Sequence, residues 1–569
     1  MFYLLNLFWF IRTTKAILFW LYLWQLKEYH IGRFLAHFST EKGRQLLLNK
    51  LFILKFVLIL FFLFGFSLFG FGIEILPFSI FSSNIFLNFY FFEFFVRIPF
   101  LVLILYIFEA VHASFNFFQK KLKKPVLTKK TVFLISTALV LEVLFIVVLS
   151  LYFRDEFWYI NFIPATFYLL LFDILTPLIA SALFLIFQPL AVLGRNQVIK
   201  RAKEKRDGFK NLLVVGITGS YGKTSTKEFL STILSEKYKV LKTKEHQNSE
   251  IGISRCILDD LKPEHEIFVC EMGAYNRGGI RLLCDIARPK IGILTGINEQ
   301  HMATFGSQED IIKTKYELIE SLPGTGLAIF NGENSYCLEL YKKTEKPKKL
   351  YSSIPATVEK DVFPDIWAAD IRIEKTSLSF QVFSKAGEFT EFKVNLAGEH
   401  NISNILAAVS CAKELGMGFE EISEACKKIS PEQGAMKILK GINGLNIIDS
   451  TYSSNPKGVM VALDYLNLWP GKKTIVMPCL IELGKATVEV HKRIGGKIGE
   501  VCDLAIITTK ERFKEIKGET TEKGMKKENI LFLENPEEII EKIKSFSKPG
   551  DTVLLEGRVS KKVLKELIG

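Results

Sequence analysis

The feature that most constrains this chain is a series of long apolar segments, all before about residue 193. A helix needs about 20 mostly apolar residues to cross the hydrocarbon of a bilayer. Five segments meet that length, at roughly 2–26, 51–73, 88–112, 131–153 and 161–193, and most of the 50 Phe fall within them. The rest of the chain reads as an ordinary soluble protein. The pattern predicts an α-helical transmembrane bundle over 1–193 (about five helices), a basic linker over 194–210 and a globular α/β part behind it. The first segment holds Arg12 and Lys15, so it either crosses the bilayer or lies in its interface, giving five or four spans. It is not a signal peptide: no small-residue cleavage site follows, and a basic stretch comes directly after.

Orientation follows from the positive residues. Lys27, Arg33, Lys42, Arg44 and Lys50 lie between the first two segments, and Lys120, Lys121, Lys123, Lys124, Lys129 and Lys130 lie between the third and fourth. Arg195, Lys200, Arg201, Lys203, Lys205, Arg206 and Lys210 follow the last. The alternate loops are almost bare of Lys and Arg. All three basic stretches belong on one side, so the globular part is expected in the cytoplasm, carried by a multi-pass protein of the cytoplasmic membrane. The net charge of +13 is therefore read as membrane-facing rather than as a nucleic-acid footprint. The eight cysteines all lie between Cys256 and Cys502 and form no C-x-x-C pair, which suits a reduced compartment and argues against zinc. Glu93, Arg97, Glu109, Glu142 and Asp173 interrupt the apolar segments. Glu93 and Arg97, four apart, are expected to pair on one helix face.

The strongest chemical signal begins at Asn211. A β-branched run, Leu212-Leu-Val-Val-Gly-Ile217, leads into Thr218-Gly-Ser-Tyr-Gly-Lys-Thr-Ser225, and a helical pattern comes next with Phe229, Leu230, Ile233 and Leu234 apolar. Strand, glycine loop and helix start form the setting of a phosphate-binding loop. Gly219 and Gly222 free backbone N–H groups to turn toward phosphate oxygens. Lys223 is placed to neutralise the terminal phosphates, and the Thr224 hydroxyl to hold Mg²⁺. Ile217 stands where the commoner, longer pattern has glycine.

This shorter loop, T-G-x-x-G-K-T, resembles that of the Mur ligases, which join amino acids or peptides to cell-wall precursors. Thr218–Phe229 looks most like the MurF type, which adds D-alanyl-D-alanine. The likeness continues in order through Asn248-Ser-Glu-Ile-Gly252, Glu271-Met-Gly273, Thr295 to His301, Lys313-Thr-Lys315, Asn331-Gly-Glu-Asn334, Gly398-Glu-His-Asn401, Asp449-Ser-Thr-Tyr452, Asn455-Pro456 and Glu482-Leu-Gly484. It implies a central P-loop domain over 211–430 and a C-terminal Rossmann-like α/β domain over 431–569.

The resemblance also implies roles. Thr218, Gly219, Ser220, Tyr221, Gly222, Lys223, Thr224 and Ser225 would cradle the ATP phosphates. Thr224, Glu271, His301 and a carbamylated Lys315 would hold one or two Mg²⁺, with Lys313 the nearby competitor for the carbamate. Lys223, His301 and Lys315 would serve catalysis. Asn331, Asn334, His400, Asn401, Asn404 and Asp449 would border the nucleotide, although the asparagines also suit local capping and turn bonding. The implied reaction is amide formation through an acyl phosphate, between a cell-wall precursor and D-alanyl-D-alanine or a similar amine. Other cell-wall enzymes are possible partners, and nucleic acid is not one.

Departures from the family pattern cluster where the substrates would bind. Gly296 replaces the family Asn before the His, Tyr275-Asn-Arg interrupts the segment after Glu271, Gly434-Ala435 lacks an Arg, and Pro478-Cys-Leu480 replaces G-D-M. Glu556-Gly-Arg-Val-Ser560 replaces a terminal K-G-S-R. The soluble domain with which MurF-type enzymes hold a UDP-sugar has no counterpart before residue 211. Two readings stay open beside the MurF-like one: a Mur-family ligase or amidating enzyme with another membrane-linked acceptor, and a P-loop transport or signalling ATPase.

Overall fold

The computed structural model describes residues 2–569 apart from 28, 30, 39–40, 70–84, 120, 154–157, 246, 300–301, 355–361, 431–435, 452–454 and 482. The chain divides into two compact units, Met1–Gly194 and Arg195–Gly569.

The first unit is helical: α1 (Phe2–Leu26), α2 (Ile31–His37), α3 (Glu41–Leu47), α4 (Lys50–Phe69), α5 (Ile85–Phe118), α6 (Lys129–Tyr152) and the start of α7 (Trp158–Asp207). Among the described residues, four helical stretches are long and apolar enough to cross a membrane: Phe2–Leu26, Val96–Phe118, Lys130–Tyr152 and Phe162–Asp207. Thr128 caps α6, its hydroxyl accepting from Thr131 N at 3.2 Å. Four of the charges inside this unit form a paired set. Arg12 of α1 meets Asp173 of α7 and, at 3.5 Å, Glu109 of α5; Lys55 of α4 meets Glu109 and, at 2.8 Å, Asp173. Two cations and two carboxylates therefore neutralise one another inside an apolar bundle, where an unpaired charge would be very costly. Glu142 accepts from the Thr14 hydroxyl at 2.9 Å. Glu93 and Arg97 pair along one helix face at 2.7 Å, as the spacing predicts.

The second unit contains two sheets. The first is built from β1 (Leu213–Thr218), α8 (Lys223–Leu234), β2 (Val240–Lys242), α9 (Glu250–Arg255), β3 (Ile267–Glu271), α10 (Gly279–Ala287), β4 (Ile291–Leu294), α11 (Met302–Phe305), α12 (Gln308–Glu320), β5 (Leu327–Asn331), α13 (Ser335–Lys343), β6 (Lys348–Ser352), β7 (Ile366–Ile373), β8 (Leu378–Ser384), β9 (Phe389–Val394), α14 (His400–Glu414) and α15 (Phe419–Cys426). Its order is β2-β3-β1-β4-β5-β6-β7-β8-β9, parallel as far as β7 and antiparallel from there to β9. Helices cover both faces: Phe229, Ile402 and Ile422 pack on one, and Ile253, Leu283, Leu318 and Leu338 on the other. This is why its parallel strands read as nearly unbroken apolar runs.

The second sheet is built from β10 (Lys437–Lys440), β11 (Asn446–Ser450), α16 (Pro456–Asn467), β12 (Lys473–Met477), α17 (Thr487–Val501), β13 (Leu504–Ile507), α18 (Phe513–Glu522), β14 (Ile530–Phe532), α19 (Pro536–Phe546), β15 (Thr552–Glu556) and α20 (Lys561–Ile568). Its order is β10-β11-β15-β12-β13-β14, with only β10 antiparallel to its neighbour. Leu463, Ile494 and Ile516 cover one face, and Ile540 and Val563 the other. All eight cysteines are free and buried.

Candidate functional site

The site lies at the carboxyl end of β1, where the order of the first sheet reverses between β3 and β4, the usual place for a ligand in such a sheet. Gly222 has φ +77°, and a Cβ there would collide with the Asn404 amide. Glycine is thus required for both the backbone turn and the close approach of α14. The loop is braced from β4: Ser220 N donates to Gly296 O at 2.7 Å, and the Thr295 hydroxyl donates to Tyr221 O at 2.5 Å. Thr218 ties the strand end to Met272 O at 2.9 Å. Ser225 is buried in the first turn of α8. Backbone N–H groups at the start of α8 face the loop, a cradle suited to phosphate.

Four charged or polar groups converge beside it. Lys223 Nζ folds back to Gly219 O at 2.7 Å. Burial lowers its pKa, and the Glu271 carboxylate opposes that shift. The Thr224 hydroxyl donates to Glu271 Oε2 at 3.0 Å, while Asn248 Nδ2 donates to Oε1 at 3.1 Å. A hydroxyl and a carboxylate oxygen at this separation form a hard-oxygen pair of the kind Mg²⁺ takes. His301 lies outside the described residues. Among those described, no group of three or more His, Cys, Asp or Glu side chains is placed to hold a metal.

Lys315 and Lys313 part company on α12. Lys315 is buried, with Nζ 5.9 Å from the centre of the Phe305 ring. Burial, and then the charge of Lys223, bring its pKa down to about 7, with Glu317 opposing. Lys313 points outward and pairs with Glu309 at 2.5 Å.

The asparagines hold the surrounding loops. Asn331 Nδ2 donates to Thr295 O at 2.8 Å, and Asn334 caps α13 while its Nδ2 donates to Ile297 O at 2.9 Å. Asn401 Nδ2 donates to Ala397 O at 2.7 Å, and Asn404 Nδ2 to Asn401 Oδ1 at 3.3 Å. The Asn334 cap and the Asn401 and Asn404 bonds are the local capping and turn bonding that the sequence also allowed, whereas the Nδ2 bonds of Asn331 and Asn334 are long-range and tie these loops to the segment after β4. His400 is half-buried, and its buried Nδ1 meets no partner among the described residues. Burial, then the Lys457 charge, lower its pKa to about 4, so it is a neutral imidazole at physiological pH. Asp449, the last residue but one of β11, accepts from Thr451 N at 3.0 Å and from its hydroxyl at 2.6 Å.

The second sheet reaches the loop through α16. Asn455, its N-cap, accepts from Asn298 Nδ2 at 3.4 Å, and Lys457 Nζ lies 3.2 Å from the Tyr221 hydroxyl. Neither Lys457 nor Lys227 stands out in the sequence. Lys227 is fully buried, 3.0 Å from Glu228 and 3.8 Å from Glu271. A lysine four residues after Lys223, two before the apolar Phe229, was the available signal, since that spacing puts it on the same helix face.

Comparison with known proteins agrees with this geometry. Residues 217–412 match the model of the Mur ligase middle domain, and residues 436–559 match that of the Mur ligase, glutamate ligase domain. The chain belongs to the Mur ligase family. It is 31% identical over 286 residues to the UDP-N-acetylmuramoyl-tripeptide–D-alanyl-D-alanine ligase of Synechocystis sp., a match covering 50% of this chain and 59% of that one. It is 27% identical over 361 residues to the ligase of the same description from Bacillus subtilis, covering 62% and 76%. Among solved structures it is similar to the MurF ligase of Thermotoga maritima in complex with ADP, with 28% identity, a TM-score of 0.54, and 65% and 83% of the two chains covered. The match to the Synechocystis Mur ligase thus spans less than two thirds of that relative.

Proposed function

We propose that this Mur ligase is an ATP-dependent amide ligase of cell-wall precursor synthesis that adds D-alanyl-D-alanine, or a similar amine, to a muramoyl peptide. The observation that carries the reading is the Thr224–Glu271 contact beside a glycine loop bearing Lys223. The ADP complex of the Thermotoga relative supports it.

In this reading the precursor carboxylate attacks the γ-phosphorus of ATP in line. ADP leaves, and an acyl phosphate forms. The amine then attacks the acyl carbon, the C–O bond to phosphate breaks, and the amide, phosphate and one proton are released. Lys223 holds the terminal phosphates, and the loop N–H groups orient them. Thr224 and Glu271 would hold Mg²⁺, with His301 as a further ligand; bound Mg²⁺ neutralises charge that develops on the phosphates. Lys315, buried and easily deprotonated near neutral pH, suits carbamylation, because only a neutral amine adds to CO₂. His400, Asn404 and Asp449 would border the nucleotide.

In the same reading residues 1–193 form a multi-pass domain of the cytoplasmic membrane, 194–210 a cytoplasmic linker, and the ligase divides near residue 430. The membrane domain holds the enzyme beside lipid-linked precursors or binds one itself. The basic stretches that flank the apolar helices support the orientation.

The test is phosphate release by the full-length protein in lipid, with mass spectrometry of the product. D-alanyl-D-alanine is offered with a UDP-linked or a lipid-linked muramoyl tripeptide. An ATP-dependent adduct that disappears in Lys223→Ala supports the ligase reading, and its absence with both acceptors overturns it. Adduct on the lipid-linked form alone assigns acceptor binding to the membrane domain.

A further inference from the structure

Lys227 lies one turn beyond Lys223 on α8, and its side chain is wholly withdrawn from solvent. A buried ammonium is costly unless carboxylates accompany it. Among the described residues, two carboxylates lie within 4 Å of its Nζ: Glu228 Oε1 at 3.0 Å and Glu271 Oε2 at 3.8 Å. The two are not equally engaged. Glu228 also holds the ammonium of Lys242, from β2, on its other oxygen. Glu271 meets no cation but Lys227 within that range among the described residues.

The Glu271 oxygen that faces Lys227 is the one to which the Thr224 hydroxyl donates. That hydroxyl and that carboxylate oxygen are the hard-oxygen pair suited to Mg²⁺. A bare carboxylate there would attract any free divalent cation. Lys227 already balances its charge, and a further cation on the same oxygen meets like-charge repulsion in an interior where solvent screens little. The negative charge that would outweigh this repulsion arrives with the nucleotide phosphates, in the cradle next to Lys223. Because Lys227 is enclosed, the phosphates, and not its withdrawal, restore the balance.

We propose that Lys227 is a positioning residue that acts through Glu271: it holds this carboxylate toward the phosphate loop and makes divalent-metal binding conditional on the nucleotide phosphates. This rests on the ligase reading, in which Thr224 and Glu271 hold Mg²⁺. The protein then takes up its metal with the nucleotide and not before it. A lysine that only tied α8 to β3 would have the opposite effect on the metal. Its loss would let Glu271 drift and loosen the metal, whereas loss of a competing charge tightens it.

The test is the Mn²⁺ affinity of the full-length protein in an uncharged detergent, read by electron paramagnetic resonance without and with ADP. Protein-free controls account for Mn²⁺–ADP in solution, and Glu271→Gln accounts for Mn²⁺ bound elsewhere. ADP is expected to tighten Mn²⁺ binding to the wild type at least tenfold. Lys227→Met keeps the length of the side chain and removes its charge. It is expected to bind Mn²⁺ at least tenfold more tightly than the wild type without ADP, and to gain less from ADP. Unchanged or weaker Mn²⁺ binding by Lys227→Met overturns the inference, and a wild-type site that still gains from ADP and is lost in Glu271→Gln leaves the ligase reading standing. A wild type that binds no Mn²⁺ at this site even with ADP overturns the metal assignment on which that reading relies. Lys227→Gln, neutral but able to donate to Glu228, covers a failure of the methionine variant to fold: tighter Mn²⁺ binding without ADP supports the inference, and unchanged or weaker binding overturns it.

Discussion

The Thr224 hydroxyl lies 3.0 Å from Glu271 Oε2, although 47 residues separate the two in sequence. The contact exists because β1 and β3 are parallel neighbours, with Ile217 level with Glu271, so the end of one strand meets the loop that leaves the other. Glu271→Gln keeps the shape and removes the charge. It is expected to weaken binding of Mn²⁺, used as a Mg²⁺ probe and read by electron paramagnetic resonance, and to lower kcat by about 10²-fold, a typical loss for one electrostatic contact in a dry site. Unchanged Mn²⁺ affinity would remove Glu271 from the metal site.

Gly222 faces two obstacles to substitution, a left-handed φ of +77° and the Asn404 amide. Gly222→Ala should cost about 1–2 kcal/mol of local backbone strain and push the loop off α14. ATP affinity, measured by calorimetry, should fall, while far-ultraviolet circular dichroism stays as in the wild type. Wild-type affinity would show that the loop opens before ATP enters.

Lys315 and Lys313 give a paired test. Lys315→Ala should abolish ligation, and a small carboxylate such as acetate should restore part of it by supplying the missing negative charge. Lys313→Ala should behave as wild type, since its ammonium is outside the site, on Glu309. Sensitivity of both variants, or of neither, would contradict the assignment.

The pKa of Glu556 predicts a pH dependence of stability. Its folded value of about 8 lies above the ordinary carboxylate value of 4.5, so the folded state keeps a proton that the unfolded state releases. The contribution of this group is fully present below about pH 4.5 and declines as pH rises toward 8. Glu556→Gln carries no titrating group there. Its melting temperature relative to the wild type should therefore increase from pH 6 to pH 9, and a constant difference would refute the shift.

Asp173 joins Arg12 and Lys55 in the apolar bundle. Asp173→Ala leaves two buried cations sharing Glu109, and removing one partner of a buried ion pair costs roughly 3–5 kcal/mol. The variant should lower the melting temperature in detergent, and Asp173→Leu combined with Lys55→Leu should recover most of the loss. A double variant no better than the single would mean the charges do not act as one network.

Local features were legible from the residues alone. Runs of about 20 apolar residues, the T-G-S-Y-G-K-T turn and the alternation of strand-like and helix-like stretches each depend on neighbours within one or two turns, and backbone preference and burial period are encoded at that range. Glu93 and Arg97 were legible for the same reason. Encounters between distant segments depended on packing across the fold. Lys313 and Lys315 are both plausible by spacing, but two residues along a helix is about 200° of rotation, so packing of α12 buries one and exposes the other. Arg12, Glu109 and Asp173 read singly as interruptions and Lys55 did not stand out, and the four become a neutral set only where α1, α4, α5 and α7 meet. Glu556 looked like a departure from a motif. Its burial appears only once β11, β15 and α16 enclose it, because the desolvation of a charge depends on everything packed around it and not on the residues beside it in the chain.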